Sequence, residues 1–154
     1  MGQQLYENHA HGTIAKLCLS DASATNLSQW CFENGVPCID ERKLHCTVLF
    51  SKKPVIHLTR LNDARLMVPA KIIGWKKLGP ALTLELYAPK ATRLHKWMIE
   101  QGGTHEYPDF IAHTSVTYDW PVDTTPRRFP EMVLEFTKLA VQGIDPEFSP
   151  NTSS

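Results

Sequence analysis

The sequence predicts an α+β fold in two equivalent lobes, each a small, mainly antiparallel sheet that faces a central cleft and carries a helix on its outer side. Three observations lead there. Strand-like apolar runs alternate with two stretches whose apolar residues recur at helical spacing. A Gly79-Pro80 pair separates two such runs as a hairpin turn would. A shift of 68 residues also lays the second half of the chain on the first: IAKLCLS falls on LTLELYA, Gly35 on Gly103, His45 on His113, Thr47 on Ser115, Val48 on Val116 and Phe50 on Tyr118.

Each element follows from local signals. Residues 1–12 are polar and irregular, and TIAKLCLS (13–20) reads as a strand. Asp21 or Ser23 is placed to cap a helix carrying Leu27, Trp30 and Cys31 on one face. Gly35 is placed to end that helix, with Pro37 just beyond. LHCTVLF (44–50) is the next strand, and residues 51–66 are of mixed character. MVPAKIIGWKKL (67–78) and ALTLELYA (81–88) form the hairpin. A second helix starts at or beside Pro89, presents Leu94, Trp97 and Met98, and ends at Gly102-Gly103. IAHTSVTY (111–118) is a strand, a proline-rich loop follows, and EMVLEFTKLAVQGI (131–144) is the last strand. Residues 149–154 are a disordered tail. The chain is thus read as one domain with lobes of roughly 13–66 and 67–144.

Composition narrows the function classes. The 154 residues carry 16 basic and 16 acidic side chains, a balance that disfavours coating a long nucleic acid, because phosphate neutralisation needs a cationic surface. A small nucleotide in a local pocket remains open. No apolar run is long enough to span a membrane, and no secretory leader pattern is present. MGQQLY resembles a myristoylation start, but Tyr6 stands where Ser or Thr is wanted. These features point to a cytoplasmic protein. The four cysteines, Cys18, Cys31, Cys38 and Cys46, form no C-x-x-C pair and read as reduced thiols packed as small hydrophobes, with a cysteine nucleophile as the lesser reading. Neither a metal nor another cofactor is expected.

The residues that carry chemistry are in two H-x-[TS]-apolar motifs, HCTV at 45–48 and HTSV at 113–116. Residues i and i+2 of a strand share a face, so His45 lies beside Thr47 and His113 beside Ser115. Two lobes facing one cleft bring together two imidazoles and two hydroxyls. One imidazole can take a proton from an attacking oxygen while the other gives one to a leaving oxygen, and hydroxyls can donate to non-bridging phosphate oxygens. Two further H-x-[TS] matches are set aside: His57-Leu-Thr59 is followed by Arg60, and His11-Gly-Thr13 has Gly79 at its symmetric position. His9, His57, His95 and His105 read as surface or supporting histidines, and His9-x-His11 as a solvated arm or a weak metal pair.

The paired motifs at this separation resemble the two-histidine (2H) phosphoesterase superfamily, whose members place two such motifs in pseudo-symmetric lobes around a cleft. LHCTVLFSKKPV, the APK-x(5)-HKWM-x(3)-GGTHEYPDFIAHTSVTYDW block and the closing LAVQGIDPEF are similar to phage anti-CBASS nucleases, across roughly residues 13–148. Those enzymes cut the cyclic oligonucleotide signals of bacterial antiphage defence. The resemblance implies that His45 and His113 transfer protons, and that Thr47 and Ser115 hold the scissile phosphate. It implies that Trp75 stacks on a base, where a core aromatic is the other reading, and that Phe148 stands at a family tryptophan. Thr13 and Gln142 would replace a family tyrosine and glutamate at substrate-contacting positions, which bears on base preference. Gln142 can still hydrogen-bond a base edge. The implied substrate is a cyclic di- or trinucleotide, with no obligate protein partner, and the implied compartment is the infected bacterial cytoplasm. Two other functions fit the residues: a phosphodiesterase of RNA ends or 2′,3′-cyclic phosphates, and a non-catalytic cyclic-nucleotide sponge.

Overall fold

The computed structural model describes residues 9–105 and 109–145. Phe148, the 149–154 tail and residues 1–8 of the N-terminal arm lie outside these. Among the described residues, six strands and two α-helices follow in the order β1 (Thr13–Leu19), α1 (Asp21–Glu33), β2 (His45–Ser51), β3 (Ala64–Leu78), β4 (Ala81–Tyr87), α2 (Pro89–Glu100), β5 (His113–Thr117) and β6 (Val133–Gly143). Short 3-10 helices at Glu41–Lys43 and Ile56–Leu61 occupy the first long connection and the mixed stretch.

The 68-residue repeat is legible in the element boundaries themselves. β1 and β4 start and end 68 residues apart, as do the first residues of α1 and α2 and of β2 and β5. β6 falls 68 residues after positions 65–75 of β3. The repeating unit is therefore strand, helix, strand, strand. All strand pairs are antiparallel, in the order β2-β1-β6-β3-β4-β5. Each repeat lends its last strand to the other: β6 pairs with β1, and β3 pairs with β4. The two expected sheets are thus joined into one through the β3–β6 ladder, and β3 runs through the expected 66/67 junction.

The two outermost strands, β2 and β5, contact each other, so the sheet curls until its ends meet. The Ile39 N–H donates to the Val116 carbonyl at 2.8 Å across this closure. One sheet face carries Leu17, Cys46, Val48, Val68, Ala70, Ile72, Leu84, Leu134 and Phe136, all buried in a single core. Both helices belong to that core, α1 through Ala24, Leu27 and Cys31, and α2 through Ala91 and Met98.

Local sequence explains how the helices begin and end. The cap of α1 is Ser20 rather than Asp21 or Ser23: its side chain accepts from the Ser23 N–H at 3.1 Å. Ser20 also completes the strand, since its own N–H donates to the Glu135 carbonyl of β6 at 2.8 Å. Gly35 ends α1 with φ of +69°, and Val36 N–H reaches back to the Cys31 carbonyl. Pro89 opens α2 at its first turn. In the second repeat the left-handed residue is Gly102, one position before the equivalent of Gly35.

Candidate active site

Directly paired residues of a ladder share a face. On β2 and its neighbours, His45 pairs with Cys18 and then Lys138, and Thr47 pairs with Lys16 and then Ala140. On β5, His113 pairs with Glu85 and then Gly74, and Ser115 pairs with Thr83 and then Lys76. Alternation puts all of these on the face opposite Cys46, Leu17 and Leu84. The curling of the sheet then brings the two motifs to one place. The charge of His113 bears on the His45 imidazole, and the His113 backbone lies against the Cys46 thiol.

The two histidines are held in the same way. His45 Nδ1 lies 2.8 Å from the Lys43 carbonyl, and His113 Nδ1 lies 2.8 Å from the Ile111 carbonyl, each two residues upstream. A carbonyl only accepts, so each Nδ1 carries a proton, and each Nε2 holds the lone pair in the neutral ring or a second proton in the charged one. His45 Nε2 and Thr47 Oγ1 are buried, and neither has a hydrogen-bond partner among the described residues. Buried polar atoms normally find partners. Two orphaned atoms at i and i+2 on one strand face mark the place where a polar ligand would complete the site.

Burial pushes the His45 imidazole down to about 4; the Lys43 carbonyl opposes this, while Lys16 and His113 add to it. His113 is also pushed down, first by burial and then by Lys76, against the Ile111 carbonyl and Glu85. Lys76 and Glu85 themselves lie 3.8 Å apart. Behind this face the Cys46 thiol is driven up to about 12 by burial, which leaves it protonated and unsuited to nucleophilic attack. It donates weakly to the Thr47 carbonyl at 3.9 Å, so one buried sulfur touches the backbones of both motifs.

The other expected site residues divide. Gln142 pairs with Ile14 and is exposed on the histidine face, two residues from Ala140. Thr13 is not brought into the site. Its buried hydroxyl accepts from the Val55 N–H at 2.9 Å and bonds His9 Nδ1 at 2.7 Å, anchoring a loop. Trp75 is not brought beside the histidines either. A bulge between Ile72 and Gly74 shifts its register, so it pairs with Leu84 on the buried face. There its ring lies 6.1 Å from that of Trp30, and its Nε1 donates to the Arg128 carbonyl at 2.7 Å. His9 is buried and bonded, not part of a solvated arm, whereas His11 and His57 are exposed. His95 props β2 by bonding the Val48 carbonyl at 2.8 Å, and its ring stacks on Phe110 and meets His105 edge-on. No group of three His, Cys, Asp or Glu side chains arranged to hold a metal ion occurs among the described residues. Sequence reasoning overlooked Lys16, Glu85 and Lys76. The signal was available for two of them, since Lys16 and Glu85 are each the only charged residue of their strand.

A family model described as Anti-CBASS protein Acb1 matches residues 11–150. The Anti-CBASS protein Acb1 of Vibrio phage KVP40 is 31% identical over 87 residues, covering 53% of this chain and 54% of that protein, so the match spans about half the relative's length. Among solved structures, TT0787 of Thermus thermophilus superposes with a TM-score of 0.58 at 15% identity, covering 84% of this chain and 86% of that one. Escherichia coli LigT, solved with NADP+, does so with a TM-score of 0.55 at 13% identity, covering 84% and 85%. At these identities the likeness speaks to the fold alone. With that family match across most of its length, the chain belongs to the Acb1 family of anti-CBASS proteins.

Proposed function

We propose that this protein is a metal-independent phosphodiesterase that degrades cyclic di- or trinucleotide immune signals in the bacterial cytoplasm. One observation carries the chemistry. Two symmetry-related histidines on one sheet face each bond a carbonyl through Nδ1, and beside the first, Thr47 Oγ1 waits buried without a partner. The family's anti-CBASS description supports the substrate class, and the even balance of charges in the chain suits a small closed nucleotide better than a polymer.

In the reaction a ribose 2′-hydroxyl attacks the adjacent 3′–5′ phosphate. One imidazole Nε2 removes the hydroxyl proton as the P–O2′ bond forms. The other imidazole delivers a proton to O5′ as the P–O5′ bond breaks. Thr47 and Ser115 hydroxyls donate to the non-bridging oxygens, where charge accumulates. The product is a 2′,3′-cyclic phosphate, which water can open to a 3′-phosphate. Gln142 is placed to read a base edge from the same face.

The test is product analysis by mass spectrometry on a panel of cyclic di- and trinucleotides beside short linear RNA. Expected outcomes are cleavage of the cyclic substrates, no loss in EDTA, and a drop of about 100-fold or more for His45→Ala or His113→Ala. A substrate lacking the scissile-side 2′-hydroxyl should remain intact. Strong inhibition by EDTA, cleavage of the deoxy substrate, or intact cyclic nucleotide after incubation with wild type would each overturn the proposal. Preference for linear RNA would redirect it to RNA-end processing.

A further inference from the structure

The two halves of the site repeat in backbone but not in charge. Beside His45 stand Cys18, directly opposite on β1, and Lys16, opposite Thr47; Lys138 of β6 lies beyond Cys18. His113 faces His45 from the other repeat. Every full charge in that set apart from the imidazoles is positive. Lys138 is 3.9 Å from Asp63, at the far side of β6, and the Asp63 carboxylate is largely exposed. Beside His113 stand Glu85, directly opposite on β4, Lys76 of β3, which pairs with Thr83, and the buried Cys46 thiol behind. Here a carboxylate is present, and it lies 3.8 Å from the Lys76 ammonium.

We propose that Glu85 is a positioning residue that makes His113 the proton donor of the first step and leaves His45 as the proton acceptor. The proposal rests on the phosphodiesterase reading above and adds direction to it. Glu85 offsets the Lys76 charge at His113, and a carboxylate beside an imidazole favours its protonated form. No carboxylate among the described residues pairs with His45 across the ladder, and the Lys16 ammonium beside it disfavours a second positive charge. The proton balance is then fixed. The 2′-hydroxyl proton passes to His45 Nε2 as the P–O2′ bond forms. The His113 Nε2 proton passes to O5′ as the P–O5′ bond breaks. The step ends with His45 protonated and His113 neutral, and opening of the cyclic phosphate by water can return both to their starting forms. Burial pushes both imidazoles down, and Glu85 is the charged group that opposes this at His113.

Two measurements test this. The first is independent of any substrate: a pH titration of the histidine ring signals by nuclear magnetic resonance. Glu85→Gln should lower the His113 midpoint and leave that of His45 in place, and Lys76→Met should raise the His113 midpoint. A His113 midpoint unmoved by Glu85→Gln overturns the role of Glu85, whether or not the protein cleaves cyclic nucleotides. The second uses a nucleoside 3′-(4-nitrophenyl phosphate), whose leaving group needs no proton. Relative to the cyclic substrate, this ester should recover activity by about 100-fold or more in His113→Ala but not in His45→Ala. Glu85→Gln should lose activity on the cyclic substrate and keep most of it on the ester. Recovery in His45→Ala instead reverses the assignment. Failure of wild type on both substrates counts against the phosphodiesterase reading, while the titration still decides the effect of Glu85.

Discussion

Each imidazole at the centre of this site is oriented by a main-chain carbonyl of its own segment, not by a carboxylate bonded to Nδ1. Such a contact fixes the tautomer without adding charge, so burial is free to keep the ring neutral. For His45 this has a consequence for stability. The unfolded chain takes up a proton near pH 6.5, while the folded protein resists it until about 4. Between these values the unfolded state binds more protons, so stability falls as pH falls, by roughly 3 kcal/mol in all. Above pH 6.5 both forms are neutral and the effect vanishes. Urea denaturation at pH 7 and pH 4.5 should show this loss in wild type and a smaller one in His45→Gln. Parallel losses in the two proteins would refute it. The four catalytic candidates could be read from the sequence because strand alternation alone puts i and i+2 together. Trp75 could not be placed that way. In an uninterrupted strand it would share the face of Lys71 and Ile73, but the bulge after Ile72 reverses its parity.

Elements were more legible than their partnerships. Apolar period and turn residues located the strands and helices close to where they lie, and the cap of α1 was expected at Asp21 or Ser23 instead of Ser20, where one residue serves two elements. Ser20 is such a case: it closes β1 onto β6 through its N–H and caps α1 through its hydroxyl. Ser20→Ala should cost about 1 kcal/mol and Ser20→Gly only a few tenths, read as shifts in the urea midpoint. Equal losses for the two would assign the effect to something other than the cap. The exchange of β3 and β6 between repeats was not legible. Alternation reports which residues point inward, and a strand such as VLEFTKLAV satisfies it equally at an edge or in the middle of a sheet.

At the scale of the molecule, the exchanged strands make the two repeats interdependent. Neither repeat contains all the neighbours its own strands require, although each contains a complete motif. Splitting the chain in the Gly79-Pro80 turn should yield fragments 1–79 and 80–154 that lack cooperative unfolding alone and regain it when mixed. Cooperative folding of either fragment by itself, followed by circular dichroism in urea, would refute this.

β6 is the last strand in sequence but sits third in the sheet, between β1 and β3. During synthesis the residues of both motifs leave the ribosome well before the strand that ties their two halves into one surface. A nascent chain carrying His45 and His113 therefore has both reactive groups but no common frame. The paired site comes into existence only late, when a segment that contributes none of the four catalytic candidates is inserted between strands already made.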